Sequence, residues 1–521
     1  MSLNLFFEGV QSVHGFQSQM LSMVDEKVHI DSCILTYKGE LEDESFDDRY
    51  TIIDYNVCEH NRYEEVYDFN DFMPLERKLL EKLLPYESTA MQMLVRNYER
   101  HIYTMDESKR LYLNHVRFWN HQIVTRKINY ICFVNVPHHC HDYVIYALGK
   151  VYGIPMSFCS DTSIPPRLST CTDMENMWKD TYEKYLIYKE LPEEEITLPE
   201  DLEHYYQALL YENKGLDDSA VHRGWSREHH IAVRREFFMH EFIGKNIRER
   251  RFKWMKHGLK VKMQTGDSLV LEQAKERIRQ DKALVKRGRI KQKAMRNTKY
   301  YDALAGVPDY EKEDHKYVIF FLHLQPEATT LPKGGVFVEQ ELMLRVLARA
   351  LESFGMTLYV KEHFVQPYRN KDFYDDIAKI RNVKLVKTDV ESRDLIQHAF
   401  ATASCNGTVL LESMFNGIPT FIFGDTPFRN GPGVYYVGSV QEVEEVIRDL
   451  QTGKYVHDKK AVRAELKAFG DSSFRGYFNA YEYEKQGAIS EKEGIDSFAE
   501  YVITHMEKQR KQMEAVDYSR F

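Results

Sequence analysis

Three short polar runs in the second half of this 521-residue chain hold side chains suited to binding and cleaving an anionic ligand. They are Leu324-Gln325-Pro326-Glu327, Tyr359-Val360-Lys361-Glu362-His363, and Asn406-Gly407-Thr408 with Glu412 one helical turn later. A lysine and a histidine together can neutralise a departing phosphate. Histidine, with an unperturbed pKa of about 6.5, can also serve as general acid. A glycine between strand and helix lets backbone N–H groups approach a ligand, and the helix start adds about half a positive charge, which suits phosphate. Glu412 is placed to meet ribose hydroxyls, and Glu327 offers a carboxylate on a loop stiffened by Pro326. Each run alone is also an ordinary turn or a surface Lys-Glu pair. Their shared position is the stronger signal.

Each run follows a short apolar stretch (Val318–Leu322, Thr357–Val360, Phe400–Ser404) and precedes a helical pattern. In an open parallel α/β sheet, ligands bind outside the carboxyl ends of the strands, so the three runs are expected to line one pocket. Further strands fit Val383–Val386 and Thr420–Phe423, with helices over 338–354, 371–380 and 391–398. The first half repeats the plan. Strands are expected at 3–7, 28–37, 50–55, 129–136 and 156–160, with helices over 75–126 and from Val144 to the Gly153-Ile154-Pro155 stop. The spacing therefore predicts an α/β chain with two facing Rossmann-like domains, a helical connecting region and a helical tail. The expected ranges are 1–200, 201–305, 306–455 and 456–521.

The amino-terminal half offers a base for the acceptor. Asp142 follows the 129–136 strand, and its competing role is to cap the next helix. Glu8, in a loop with His14 and Gly15, and Asp161 are alternatives; Asp142 is the preferred choice. His138, His139, Cys140 and His141 resemble a metal cluster, but adjacent loop residues rarely converge on one ion and no partner cluster has ligand spacing. No metal and no cofactor are expected.

The motifs Leu-Gln-Pro-Glu-Ala-Thr-Thr-x-Pro-x-Gly-Gly (324–335), Val-Lys-Glu-His (360–363) and Asn-Gly-Thr-x-x-x-Glu-x-x-x-x-Gly-x-Pro-x-x-x-Phe-Gly (406–424) resemble the capsule polysaccharide biosynthesis family. That family includes bacterial Kdo transferases of the GT-B arrangement. The resemblance covers roughly 318–424, with a weaker match over 137–155. It implies that Lys361 and His363 contact the nucleotide phosphate, that Asn406, Gly407 and Thr408 cap it, and that Glu412 lies near the ribose. It also implies that Gln325 and Glu327 face the cleft. The family usually has proline directly after the histidine; here Phe364 stands there, a departure that weighs against a CMP-Kdo donor. The implied partners are a CMP- or UDP-linked sugar donor and a glycan or glycolipid acceptor.

The net charge of −10 conceals an asymmetry. Lys245–Lys299 holds 19 Lys or Arg against 5 Asp or Glu, so the rest of the chain carries −24. Such a basic arm suits an anionic membrane surface or the chain's own acidic domains. No RNA- or DNA-reading motif accompanies it, and no nucleic acid partner is expected. Seven scattered cysteines without a Cys-x-x-Cys pair fit reduced thiols in the cytoplasm. The amino terminus lacks a basic leader pattern, and no apolar run approaches the roughly 18–20 residues that span a bilayer. The expected activity is transfer of a sugar from a nucleotide donor to a bacterial surface polysaccharide or glycolipid. Alternatives are a CDP-polyol phosphotransferase and a non-catalytic glycan-binding or export-associated protein.

Overall fold

The computed structural model describes every residue except 1, 11–15, 39–45, 98–102, 163, 165, 213–250, 267, 269, 272–273, 276–277, 279–292, 294–295, 326, 364–368, 478–488 and 521. His14, Gly15, Pro326, Phe364 and most of the basic arm therefore lie outside the described residues. Two sheets organise the rest. The first has seven strands in the order β13-β6-β5-β4-β1-β2-β3. These are β1 (Asn4–Val10), β2 (Ser32–Tyr37), β3 (Tyr50–Asp54), β4 (Tyr130–Cys132), β5 (Met156–Asp161), β6 (Arg167–Cys171) and β13 (Ser473–Arg475). β1 to β5 run parallel, while β6 and β13 add an antiparallel edge. The second sheet is wholly parallel, in the order β12-β11-β10-β7-β8-β9. Its strands are β7 (Tyr317–Phe321), β8 (Thr357–Lys361), β9 (Val383–Val386), β10 (Ala401–Ser404), β11 (Thr420–Ile422) and β12 (Val434–Tyr436). The chain is thus built of two Rossmann-like domains of the GT-B type.

Burial on both faces explains the apolar runs. Tyr317, Val318, Ile319 and Phe320 of β7 are all inaccessible, as are Leu358 and Val360 of β8. Such strands carry few polar side chains, so chemistry is confined to the residues just past their ends.

Two expectations are corrected. The strand predicted over 28–37 begins at Ser32, because Phe16–Val28 is a helix. Its Met20, Leu21 and Val24 recur at helical spacing and pack beside Phe498 and Val502 of the helix Glu491–Lys508. The helical tail likewise contains β13, which pairs with β6 of the first sheet, so the chain's end returns to the amino-terminal domain.

The carboxyl edges of the two sheets face each other. Lys333, in the loop after β7, donates from Nζ to Ser160 Oγ near the end of β5 at 2.8 Å. Leu331 of the same loop is buried in the core of the amino-terminal domain. Past the end of β11, Asp425 Oδ1 accepts from Tyr182 OH at 2.6 Å, a residue of the helix Lys179–Tyr188.

Candidate functional site

In the carboxyl-terminal domain, the loops after β7, β8 and β10 meet around His323. Its imidazole lies 2.7 Å from Ser404 Oγ, and the Asn406 N–H donates to Nε2 at 3.2 Å. Burial, with the nearby His363 and Arg369, holds its pKa down to about 4, so the ring is neutral near physiological pH. Gly407 has φ +111°, and a Cβ there would lie 2.6 Å from His323 Cε1. Glycine is therefore required twice, for the left-handed backbone and for the close approach of this ring. It leads directly into the helix Thr408–Phe415.

Asn406 ties neighbouring loops together. Its Nδ2 donates to Thr329 O at 3.0 Å and Asp425 O at 3.4 Å. Thr408 is exposed at the helix start. Gln325 points back along the β7 loop, accepting from Gln340 Nε2 and donating to Glu339 Oε2, both at 3.2 Å. Glu327 is exposed, and its carboxylate accepts from Thr329 Oγ1 at 2.7 Å.

Lys361 takes a different direction. Its ammonium donates to Val390 O, in the loop after β9, on the far side of β8 from β7 and β10. Burial lowers its pKa to about 8. Glu362, read as half of a surface pair, is instead 2 % exposed. It forms an ion pair with buried Arg369 and accepts from Tyr374 OH at 2.8 Å. Arg369 also donates to His323 O at 2.8 Å, which locks the ends of β7 and β8 together. His363 follows, with its backbone N–H held by Glu362 Oε1 at 2.7 Å. Glu412 accepts from Tyr211 OH at 2.8 Å, and the Tyr211 N–H donates to Asn416 Oδ1 at 2.7 Å, so a residue of the connecting region lies along the second half of the helix Thr408–Phe415.

Across the cleft, Glu8 near the end of β1 and Asp142 after β4 form a buried acidic pair with Tyr55. Glu8 is 8 % exposed, and burial pushes its pKa up to about 8. Asp142 is 1 % exposed; burial, then the charge of Glu8, raises its pKa well above the carboxylate range. It also accepts from the backbone N–H of His139 at 2.7 Å and of His138 at 3.2 Å, so it does cap the helix Cys140–Tyr152. Burial, then the charges of Glu8 and Asp142, raises the pKa of the Tyr55 phenol, whose ring lies 5.1 Å from that of His141. His138 binds Val136 O through Nδ1 at 2.7 Å. His141 is fully buried, and neither of its ring nitrogens has a hydrogen-bond partner among the described residues. Burial drives its pKa down to about 3, so it stays neutral. The Asp161 side chain lies outside what the structure describes.

His323, Arg369, Tyr55 and Tyr211 were not singled out from the sequence. Only His323 had a visible signal, standing between an apolar run and Leu324-Gln325-Pro326-Glu327. Tyr55 and Tyr211 act through partners distant in sequence, and Arg369 through both nearby Glu362 and distant His323.

No family model and no curated protein matches this chain. Among solved structures, it is similar to a putative UDP-N-acetylglucosamine 2-epimerase from Listeria monocytogenes, with 11% identity, 91% of this chain and 94% of that chain covered, and a TM-score of 0.24. It is also similar to Methanocaldococcus jannaschii UDP-GlcNAc 2-epimerase in complex with UDP-GlcNAc and UDP, with 10% identity, 89% and 98% coverage, and a TM-score of 0.24. CalG4, the calicheamicin glycosyltransferase, gives 10% identity, 98% and 99% coverage, and a TM-score of 0.23. Overlap this small adds nothing to the topology described above.

Proposed function

We propose that this chain is a glycosyltransferase that moves a sugar from a nucleotide-activated donor to a surface polysaccharide or glycolipid acceptor. The carrying observation is that the carboxyl edges of both sheets face each other, one lined by His323, His363 and the Gly407 helix start, the other by Glu8 and Asp142. The first edge suits a nucleotide phosphate: N–H groups at the helix start and the His363 imidazole neutralise charge as the phosphate departs. In this proposal substrate contacts fall to Gln325, Glu327, Asn406, Thr408 and Glu412, while Lys361, whose ammonium is held by Val390 O, steadies the end of β8. The second edge suits the acceptor. Glu8 and Asp142 keep their protons through neutral pH, Glu8 until about 8, and once ionised in mildly alkaline solution either can take a hydroxyl proton. The acceptor oxygen bonds the sugar's anomeric carbon as the bond from that carbon to the phosphate oxygen breaks; Glu8 or Asp142 takes the acceptor's proton, and His363 gives a proton to the leaving phosphate.

The test is product analysis with CMP-, CDP-, UDP- and GDP-sugars and a glycan or glycolipid extract. The proposal predicts free nucleotide together with an acceptor heavier by one sugar residue. A phosphopolyol adduct would redirect it to phosphotransfer. Recovery of every donor intact, with glycan bound but unmodified, would contradict it.

A further inference from the structure

The helix over residues 251–265 carries a feature that sugar transfer does not use. Phe252 is 70 % exposed, Leu259 47 % and Met263 87 %. With about 100° between successive residues, these three side chains fall within about 40° of one another, forming one apolar stripe. Lys262 borders the stripe on one side, and Lys256, Lys260 and Lys253 border it on the other. The segment holds no acidic residue, although the chain as a whole is at −10. The helix buries a different face: a Cβ at Gly258 would lie 2.8 Å from Leu271 Cα. The stripe therefore points away from the face that packs on the chain.

We infer that this stripe docks the protein onto an anionic lipid surface. An apolar stripe rimmed by lysines inserts at the boundary between headgroups and acyl chains, while the lysines meet phosphate. A second copy of the chain is a poorer occupant. Three side chains spread over about three turns cover far less than the roughly 800 Å² per partner of a stable protein interface. They do suit a fluid lipid surface, which needs no matching pocket. Among the described residues no helix is long and apolar enough to cross a membrane, so the attachment is peripheral.

The experiment is co-sedimentation of the full chain with phosphatidylcholine vesicles, with and without about 30 mol% phosphatidylglycerol. Binding is expected only to the anionic vesicles and is lost in high salt. The triple variant Phe252→Ser, Leu259→Ser, Met263→Ser should bind at least about tenfold more weakly, with unchanged thermal unfolding. Separately, Lys256→Gln and Lys260→Gln should each weaken binding about fivefold. Undiminished binding of the triple variant, or equal binding to neutral vesicles, would overturn the inference. So would a lipid-free dimer that the triple variant abolishes, since that would assign the stripe to a second copy.

Discussion

Replacing Glu8 with Gln tests the acidic pair through stability. An unfolded Glu8 releases its proton near its ordinary value of 4.5, whereas the folded chain holds it until about 8. Between those values the native state binds more protons than the unfolded state, so this group's contribution to stability falls as pH rises. At about 1.4 kcal/mol per pH unit, the cost accumulated from 4.5 to near pH 7 is about 3 kcal/mol. Glu8→Gln keeps the side chain's shape and removes the titration. The variant should therefore be more stable than the parent by about 3 kcal/mol near neutral pH, and the gain should vanish below pH 4.5. Urea unfolding at a series of pH values measures this directly. Sugar transfer by the same variant assigns the base: its collapse would give the role to Glu8, and its survival would give it to Asp142. A variant less stable than the parent near neutral pH, or a difference that does not change with pH, would refute the reasoning.

Three further predictions concern the opposite edge. Gly407→Ala forces a Cβ into the His323 ring at a left-handed backbone position, and should cost about 1–3 kcal/mol in urea unfolding. His323→Ala in the same chain should recover part of that loss, and a purely additive double variant would argue against the contact. Arg369→Ala leaves the Glu362 carboxylate buried without its cation and should cost about 3–5 kcal/mol. His363→Ala should abolish transfer while leaving the unfolding midpoint unchanged; full activity would remove His363 from the mechanism.

The sequence was most readable where local physics decides. The runs 318–322 and 400–404 are apolar because both faces of β7 and β10 are covered, and their polar residues collect beyond the strand ends for the same reason. Asn406-Gly407-Thr408 was recognised as a strand-to-helix turn, yet the need for glycine comes partly from a histidine more than eighty residues earlier. Such a contact has no local trace. The alternative reading of Glu362 as one of a surface pair fails because its partner Arg369 stands seven residues further along the chain. The helix Phe16–Val28 was missed because Ser18, Gln19 and the Asp25-Glu26-Lys27 run dilute its apolar face, which makes sense only against the returning tail. Asp142 combines both outcomes: its capping role was legible from position, while its repulsion with Glu8 required two distant strand ends to be brought together.

The central claim is that the edge around His323 and Gly407 binds a nucleotide. Thermal unfolding of the full chain with excess CMP, CDP, UDP, GDP or ADP tests it most directly. Ligand at about 100 times its dissociation constant adds about 2.7 kcal/mol, which raises the midpoint by several degrees. The account predicts such a shift with a cytidine or uridine nucleotide and its loss in Gly407→Ala. No shift with any of the five would contradict it.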